Sequence, residues 1–111
     1  MNFIKGDAVM KKILLCCSSG MSTSLLVNKM RKVAEEHKVP VEINAVGLDR
    51  FEDEIKEYDV ALLGPQVRFK LEEFKSIAET FGKKVAVIDT KDYGTMDGKK
   101  VLSQAVKLIK S

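Results

Sequence analysis

The chain has 111 residues, 45% of them apolar, and a net charge of +3 with acidic and basic residues interspersed. That is the size of one ordinary domain, and it buries enough surface to fold without a disulfide or a structural metal. The mild charge, with no basic stripe interleaved with aromatics, argues against nucleic acid as a partner, and no apolar run approaches the roughly 18 residues of a spanning helix. Two adjacent cysteines, Cys16 and Cys17, give neither a disulfide framework nor a zinc-ligand spacing, so a reducing cytoplasm is expected.

Residues 1–9 are short and mixed in character and do not read as a signal peptide. Met10-Lys11-Lys12 reads as a second candidate start. Residues 1–9 are therefore expected to be a flexible extension, and residues 10–111 one domain. Residues 10–16 form the first strand, apolar on consecutive positions as in a parallel sheet covered on both faces. A polar loop follows, then a helix over about residues 22–37 with Leu26, Met30 and Val33 inward and Leu25 beside them. Ser22 and Ser24 are both candidate caps. Val39-Pro40 ends this region, because a residue before proline is pushed out of the α conformation.

Residues 41–46 alternate apolar and polar side chains, which suits a strand at one edge of the sheet. Residues 48–57 are acidic and weakly helical, with Phe51 and Ile55 four apart. Residues 58–63 are a buried strand, broken by Gly64-Pro65-Gln66. The spacing of Val67, Leu71, Phe74, Ile77, Ala78 and Phe81 predicts a helix over 67–81, stopped by Gly82. Residues 85–88 are the fourth strand and 89–98 a loop of turn formers. The last helix covers 99–110, with Val101, Leu102, Ala105, Val106 and Ile109 inward. Strands separated by helices pair in parallel through right-handed crossovers. The expected fold is an α/β three-layer architecture, a four-stranded parallel sheet in order 2-1-3-4 between helices. Its topological switch lies between strands one and three, where open α/β sheets bind ligands.

Cys17 stands at that point, followed by Ser18, Ser19, Gly20, Met21, Ser22, Thr23 and Ser24. Small residues let a backbone curl around a ligand, and a helix N-terminus supplies unpaired N–H groups and the positive end of a dipole. Together these describe a phosphate site over residues 18–24. Cysteines at helix N-termini ionise more readily than isolated thiols, and the thiolate is the nucleophile. Cys17 is thus the candidate for phosphocysteine chemistry, and Cys16, inside the strand, reads as a buried hydrophobe. The loop has no Gly-Lys-Ser/Thr for a nucleoside triphosphate and no Gly-x-Gly-x-x-Gly for a dinucleotide. A cysteine phosphatase loop has cysteine, five residues, arginine, then Ser or Thr. Thr23 stands where that arginine would be, with Ser24 after it. Losing the bidentate guanidinium clamp favours holding and passing on a phosphoryl group over rapid hydrolysis.

The run from Cys17 to Leu26 after a lysine-led strand resembles the active loop of IIB components of the bacterial sugar phosphotransferase system. The pattern is that of the lactose/cellobiose (N,N′-diacetylchitobiose) family. Leu62-Leu63-Gly64-Pro65-Gln66-Val67, Val87-Ile88-Asp89, Tyr93-Gly94 and Asp97-Gly98 are also similar to that family. The resemblance covers about residues 11–110 and departs from the family at Cys16 and at the extension before Met10. It implies a flavodoxin-like fold of the low-molecular-weight phosphatase type. It implies that Cys17 takes a phosphoryl group from a phosphohistidine of a IIA partner. The group then passes to a cellobiose- or chitobiose-like sugar held by the membrane IIC transporter, with no metal or other cofactor. A carrier that must release both partners is expected to be a cytoplasmic monomer with small interfaces. A small cysteine phosphatase or arsenate reductase, and a docking module with an empty anion loop, are the competing readings.

Other residues carry weaker signals. His37, the one histidine, sits in a helix's last turn, where a cation is favoured anyway. Asp92 reads as a turn aspartate near where related phosphatases keep a general acid. Tyr93 and the Gly64–Gln66 turn lie at the same sheet end as Cys17 and are candidates to line the site or face a partner.

Overall fold

The computed structural model describes residues 10–18 and 20–111, and the side chains of all of these except residues 20–22. The expected extension, residues 1–9, and Ser19 lie outside the described residues. Strands β1 (Lys11–Cys17), β2 (Val41–Gly47), β3 (Val60–Leu63) and β4 (Lys84–Val87) alternate with helices α1 (Gly20–Glu36), α2 (Phe51–Glu54), α3 (Leu71–Glu79), α4 (Thr90–Gly94) and α5 (Gly98–Lys110). Single 3₁₀ turns flank α2, and a 3₁₀ segment, Pro65–Lys70, precedes α3. The sheet is parallel throughout, in order β2-β1-β3-β4. β2 is the edge strand its alternation predicts.

Side chains on a strand alternate between faces, so each strand feeds two cores. Ile13, Leu15, Ile43, Val60 and Leu62 pack with Leu26 and Met30 of α1 and with Val101 and Ala105 of α5. Leu14, Cys16, Ala61, Leu63 and Val85 pack on the other face with Phe51, Ile55, Val67, Phe74 and Ala78. The Phe51 and Phe74 rings stack there, centroids 4.0 Å apart.

Several boundaries differ from the sequence reading. β1 runs through Cys17, and α1 begins at Gly20 rather than about residue 22, so much of the expected phosphate loop is the first turn of the helix. β3 starts at Val60 rather than residue 58. Ahead of it Asp59 ties the chain to β1, its N–H donating to the Lys12 carbonyl (2.8 Å) and its carboxylate accepting from the Lys12 N–H (2.8 Å). The helix expected over 67–81 is split, because Val67 leaves helical geometry (φ −118°, ψ 23°). It ends at Glu79, where Gly82 at φ +72° lets the Gly82 and Lys83 N–H groups close on Glu79 and Ala78. Phe81 falls beyond that end and is 40% exposed, under Lys56, and Leu25 is 51% exposed. A helical period tells which residues share a face, not how far the covered face extends.

The expected loop 89–98 contains α4. Asp89 caps it by accepting from the N–H groups of Lys91 (2.9 Å) and Asp92 (3.1 Å), and Asp97 caps α5 by accepting from Lys100 (3.1 Å). These turn formers are helix starts as well as turns.

Phe51 is fully buried in the second core. Phe51→Ala is expected to cost about 3–5 kcal/mol in urea unfolding, as large-to-small core changes do. Phe81→Ala is expected to cost less than about 1 kcal/mol in the same titration.

Candidate functional site

The central strand fixes the site. Cys17 closes β1, paired with Gly47 of β2, and its side chain is 1% exposed. Its odd position puts it on the α1 and α5 face of the sheet, one step from Cys16 on the opposite face. The chain leaves through the exposed Ser18 and enters α1 three residues after Cys17. The opening turn of a helix leaves N–H groups without intrahelical acceptors and carries the positive end of its dipole. Cys17 therefore sits before an anion-attracting turn.

Thr23 is also 1% exposed, and its Oγ1 donates to Cys17 Sγ at 2.6 Å. A buried hydroxyl needs a partner, and here the partner is the sulfur. Beyond Thr23 stands Tyr93 of α4, its hydroxyl 3.5 Å from Thr23 Oγ1. Gln66 Nε2 donates to the same phenol oxygen at 3.1 Å. Gly64 completes the wall. Its N–H donates to the Cys16 carbonyl (2.9 Å), and a Cβ at Gly64 would stand 3.4 Å from Cys17 Cβ and 2.7 Å from Gln66 Oε1. The carboxyl ends of β1, β3 and β4 thus meet through Cys17, Gln66 and Tyr93.

The predicted site residues divide. Cys17 and Thr23 are brought into direct contact. Ser18 and Ser24 are exposed, and Gly20, Met21 and Ser22 form the start of α1, their side chains outside the described set. Ser19 is not among the described residues. Asp92 is half-buried and serves α4, its N–H donating to Asp89 and its carbonyl accepting from the Asp97 N–H (2.9 Å). His37 lies just past the far end of α1, which at 17 residues spans about 25 Å, and lines a surface cavity with Val33, Val39 and Leu102. Reading the sequence placed Tyr93 and Gln66 at the right end of the sheet but did not link them to Thr23. That link needs α4, in a stretch where a loop was expected.

Cys16 is fully buried. Burial, and next the neighbouring Cys17, push its thiol from 9.0 up to about 12. It stays a neutral thiol at ordinary pH. Among the described residues, no three His, Cys, Asp or Glu side chains are grouped to hold a metal ion, and no helix is long and apolar enough to cross a membrane.

Comparison with known proteins gives a consistent result. The family model described as "PTS system, Lactose/Cellobiose specific IIB subunit" matches residues 12–104. The chain is 47% identical over 100 residues to the oligo-beta-mannoside-specific EIIB component of the phosphotransferase system of Bacillus subtilis (strain 168), covering 90% of this chain and 97% of that one. The solution structure of the cellobiose-specific phosphotransferase IIB component from Borrelia burgdorferi matches with a TM-score of 0.76 at 38% identity, covering 90% of this chain and 92% of that one. The lactose-specific IIB domain from Streptococcus pneumoniae shares the fold, with a TM-score of 0.82 at 24% identity, covering 90% and 98%.

The raised Cys16 thiol has a consequence for stability. Below pH 9 Cys16 is protonated in both folded and unfolded chains, so it adds no slope. Between 9.0 and about 12 the unfolded chain releases this proton and the folded chain keeps it. Stability is therefore lost as pH rises through that window, by about 1.4 kcal/mol per unit at most. Urea titrations from pH 8 to 10.5 are expected to show this slope in the wild type and a shallower one in Cys16→Ala.

Proposed function

The chain belongs to the lactose/cellobiose-specific IIB family of the sugar phosphotransferase system, and from that membership we propose that Cys17 is its phosphoryl-carrying residue. The observation that supports this most is the position of the sulfur. Cys17 ends a central strand, faces the start of α1 and receives the Thr23 hydroxyl at 2.6 Å. Residues 10–111 are the phosphocarrier domain, working in the cytoplasm as a monomer.

The donor is a phosphohistidine of a IIA protein. The Cys17 thiolate attacks its phosphorus in line. An S–P bond forms, the P–N bond breaks, and the electron pair leaves with the imidazole nitrogen, which takes a proton from water. The backbone N–H groups of residues 18–24 gather the phosphoryl oxygens, and the hydroxyls of the loop add donors. In the second step a hydroxyl oxygen of the sugar, held by the membrane IIC component, attacks the same phosphorus. An O–P bond forms, the S–P bond breaks, and the electron pair returns to the sulfur. The hydroxyl proton passes to a base on the acceptor side or to water. Transfer of this kind depends on positioning and charge stabilisation, and this chain needs no general base for it.

Hydrolysis is the reading this site serves less well. Thr23 occupies the position of the phosphatase arginine, is buried, and is already committed to the sulfur. The oligo-beta-mannoside and cellobiose specificities of two relatives suit a β-linked oligosaccharide as the sugar.

The test is intact-protein mass after incubation with phosphoenolpyruvate, the general phosphotransferase proteins and a IIA protein of the lactose/cellobiose type. Wild type and Cys16→Ser are each expected to gain one phosphoryl group, and Cys17→Ser none. A Cys17→Ser protein that still takes the label, or turnover of an aryl phosphate at a rate rivalling transfer, removes the proposal.

A further inference from the structure

Resting on Cys17 as the phosphoryl acceptor, we infer that Tyr93 and Gln66 are positioning residues that keep the Thr23 hydroxyl proton pointed at the Cys17 sulfur. The inference comes from counting donors and acceptors along one chain of atoms. A glutamine Nε2 can only donate, and here it donates to the Tyr93 hydroxyl oxygen at 3.1 Å. The phenol, holding an acceptor bond, has its own O–H left to give. Its neighbour is Thr23 Oγ1 at 3.5 Å, a long bond, as those of resting sites often are. Thr23, accepting from Tyr93, has its proton left for Cys17 Sγ at 2.6 Å. A thiolate has no proton to return. Both ends therefore fix the same direction, from Gln66 through Tyr93 and Thr23 to the sulfur.

The reverse direction has a cost. If Thr23 donated to Tyr93, the buried sulfur would lose that donor. Both Thr23 and Cys17 are 1% exposed, so water is a poor substitute. Hydrogen bonds in such a chain also polarise one another, so that the last donor is strengthened by those behind it.

The two positioning residues are themselves held. The Gln66 carboxamide fills the space a Cβ on Gly64 would take, and that same point lies 3.4 Å from Cys17 Cβ. Gln66 thus lies against the strand end that carries the cysteine. Tyr93 sits in a helix of five residues capped by Asp89, whose carbonyl also accepts from the Tyr93 N–H at 2.9 Å. Its ring packs against the core shared by α1 and α5. The sulfur is nucleophile in one half of the cycle and leaving group in the other. A donor of fixed direction holds the sulfur's orientation in both and takes up the charge that returns to the sulfur in the second.

The experiment measures single-turnover phosphoryl uptake from phosphorylated IIA, by quenched intact mass, over a range of IIA concentrations. It compares wild type, Tyr93→Phe, Gln66→Glu and the double variant, with Cys17→Ser as the blank. Tyr93→Phe keeps the ring and removes the relay. Gln66→Glu keeps the shape but turns a donor into an acceptor, so Tyr93 donates to it and no longer supports the Thr23 donor. Each single variant is expected to lower the limiting rate about tenfold, the equivalent of one ordinary hydrogen bond, with half-saturating IIA unchanged. In the Tyr93→Phe background Gln66→Glu is expected to add little, and the phosphorus NMR signal of phosphocysteine is expected to shift in Tyr93→Phe. Unchanged limiting rates overturn the inference. So does a rise in half-saturating IIA alone, which marks a docking contact. So does Gln66→Glu slowing both backgrounds alike, which marks plain charge repulsion. If wild type takes up no label on Cys17, the carrier reading itself falls. If wild type is labelled, Cys17→Ser is blank and Tyr93→Phe matches wild type, only this inference falls.

Discussion

β1 is paired on both edges and covered on both faces, and the rest of the molecule is arranged to make that tolerable. Its backbone groups are satisfied by β2 on one side and β3 on the other. Its side chains from Ile13 to Cys17 are all buried. A strand so enclosed has one place to deliver chemistry, its carboxyl end. There the two neighbouring exits part company. β1 leads into α1 on one face of the sheet, and β3 leads into the Pro65–Lys70 turn and α3 on the other. The crevice between diverging exits is where open parallel sheets hold ligands. Cys17 is in that crevice because of the pairing, before any property of the thiol matters.

The same alternation separates two chemically identical side chains. Cys16 points into the core of Phe51 and Phe74, where burial keeps it neutral. Cys17, one residue later, points to the face of α1, where Thr23 meets it. A single register step between adjacent cysteines is the difference between a space-filling thiol and a candidate nucleophile. Gly64, just past β3, adds to this, since a side chain there would displace the Gln66 carboxamide that lies beside Cys17.

Much of this was legible in the chain. The strand order and the edge position of β2 follow from where apolar runs are continuous and where they alternate, as at residues 13–16 and 41–45. Cys17 was legible because a cysteine at a strand end before small residues and a helix is a local pattern. α4 was not. Five residues including Thr90 and Gly94 carry no helical period, and the Asp89 cap at their start is also a turn signal. The start of α1 was placed too late because Gly20 reads as a turn residue, although its lack of a side chain also suits the first turn of a helix. The chain from Gln66 to Cys17 was illegible for a different reason. It joins residues 17, 23, 66 and 93, brought together by three strand ends, and no spacing in the sequence encodes a meeting of that kind.

Thr23 in place of an arginine has an energetic logic for a carrier. A buried guanidinium needs an anion at all times, so such a site would hold inorganic phosphate between turnovers and compete with the incoming donor. A threonine is neutral. It asks for one partner, which the sulfur provides. In place of a guanidinium, the head of α1 offers backbone N–H groups, which bind an anion without locking it. A carrier must accept from one partner and release to another, so its intermediate should lie in neither too deep nor too shallow a well. A fixed, uncharged hydrogen-bond chain behind the sulfur, with a helix terminus in front of it, meets that requirement better than a charged clamp does.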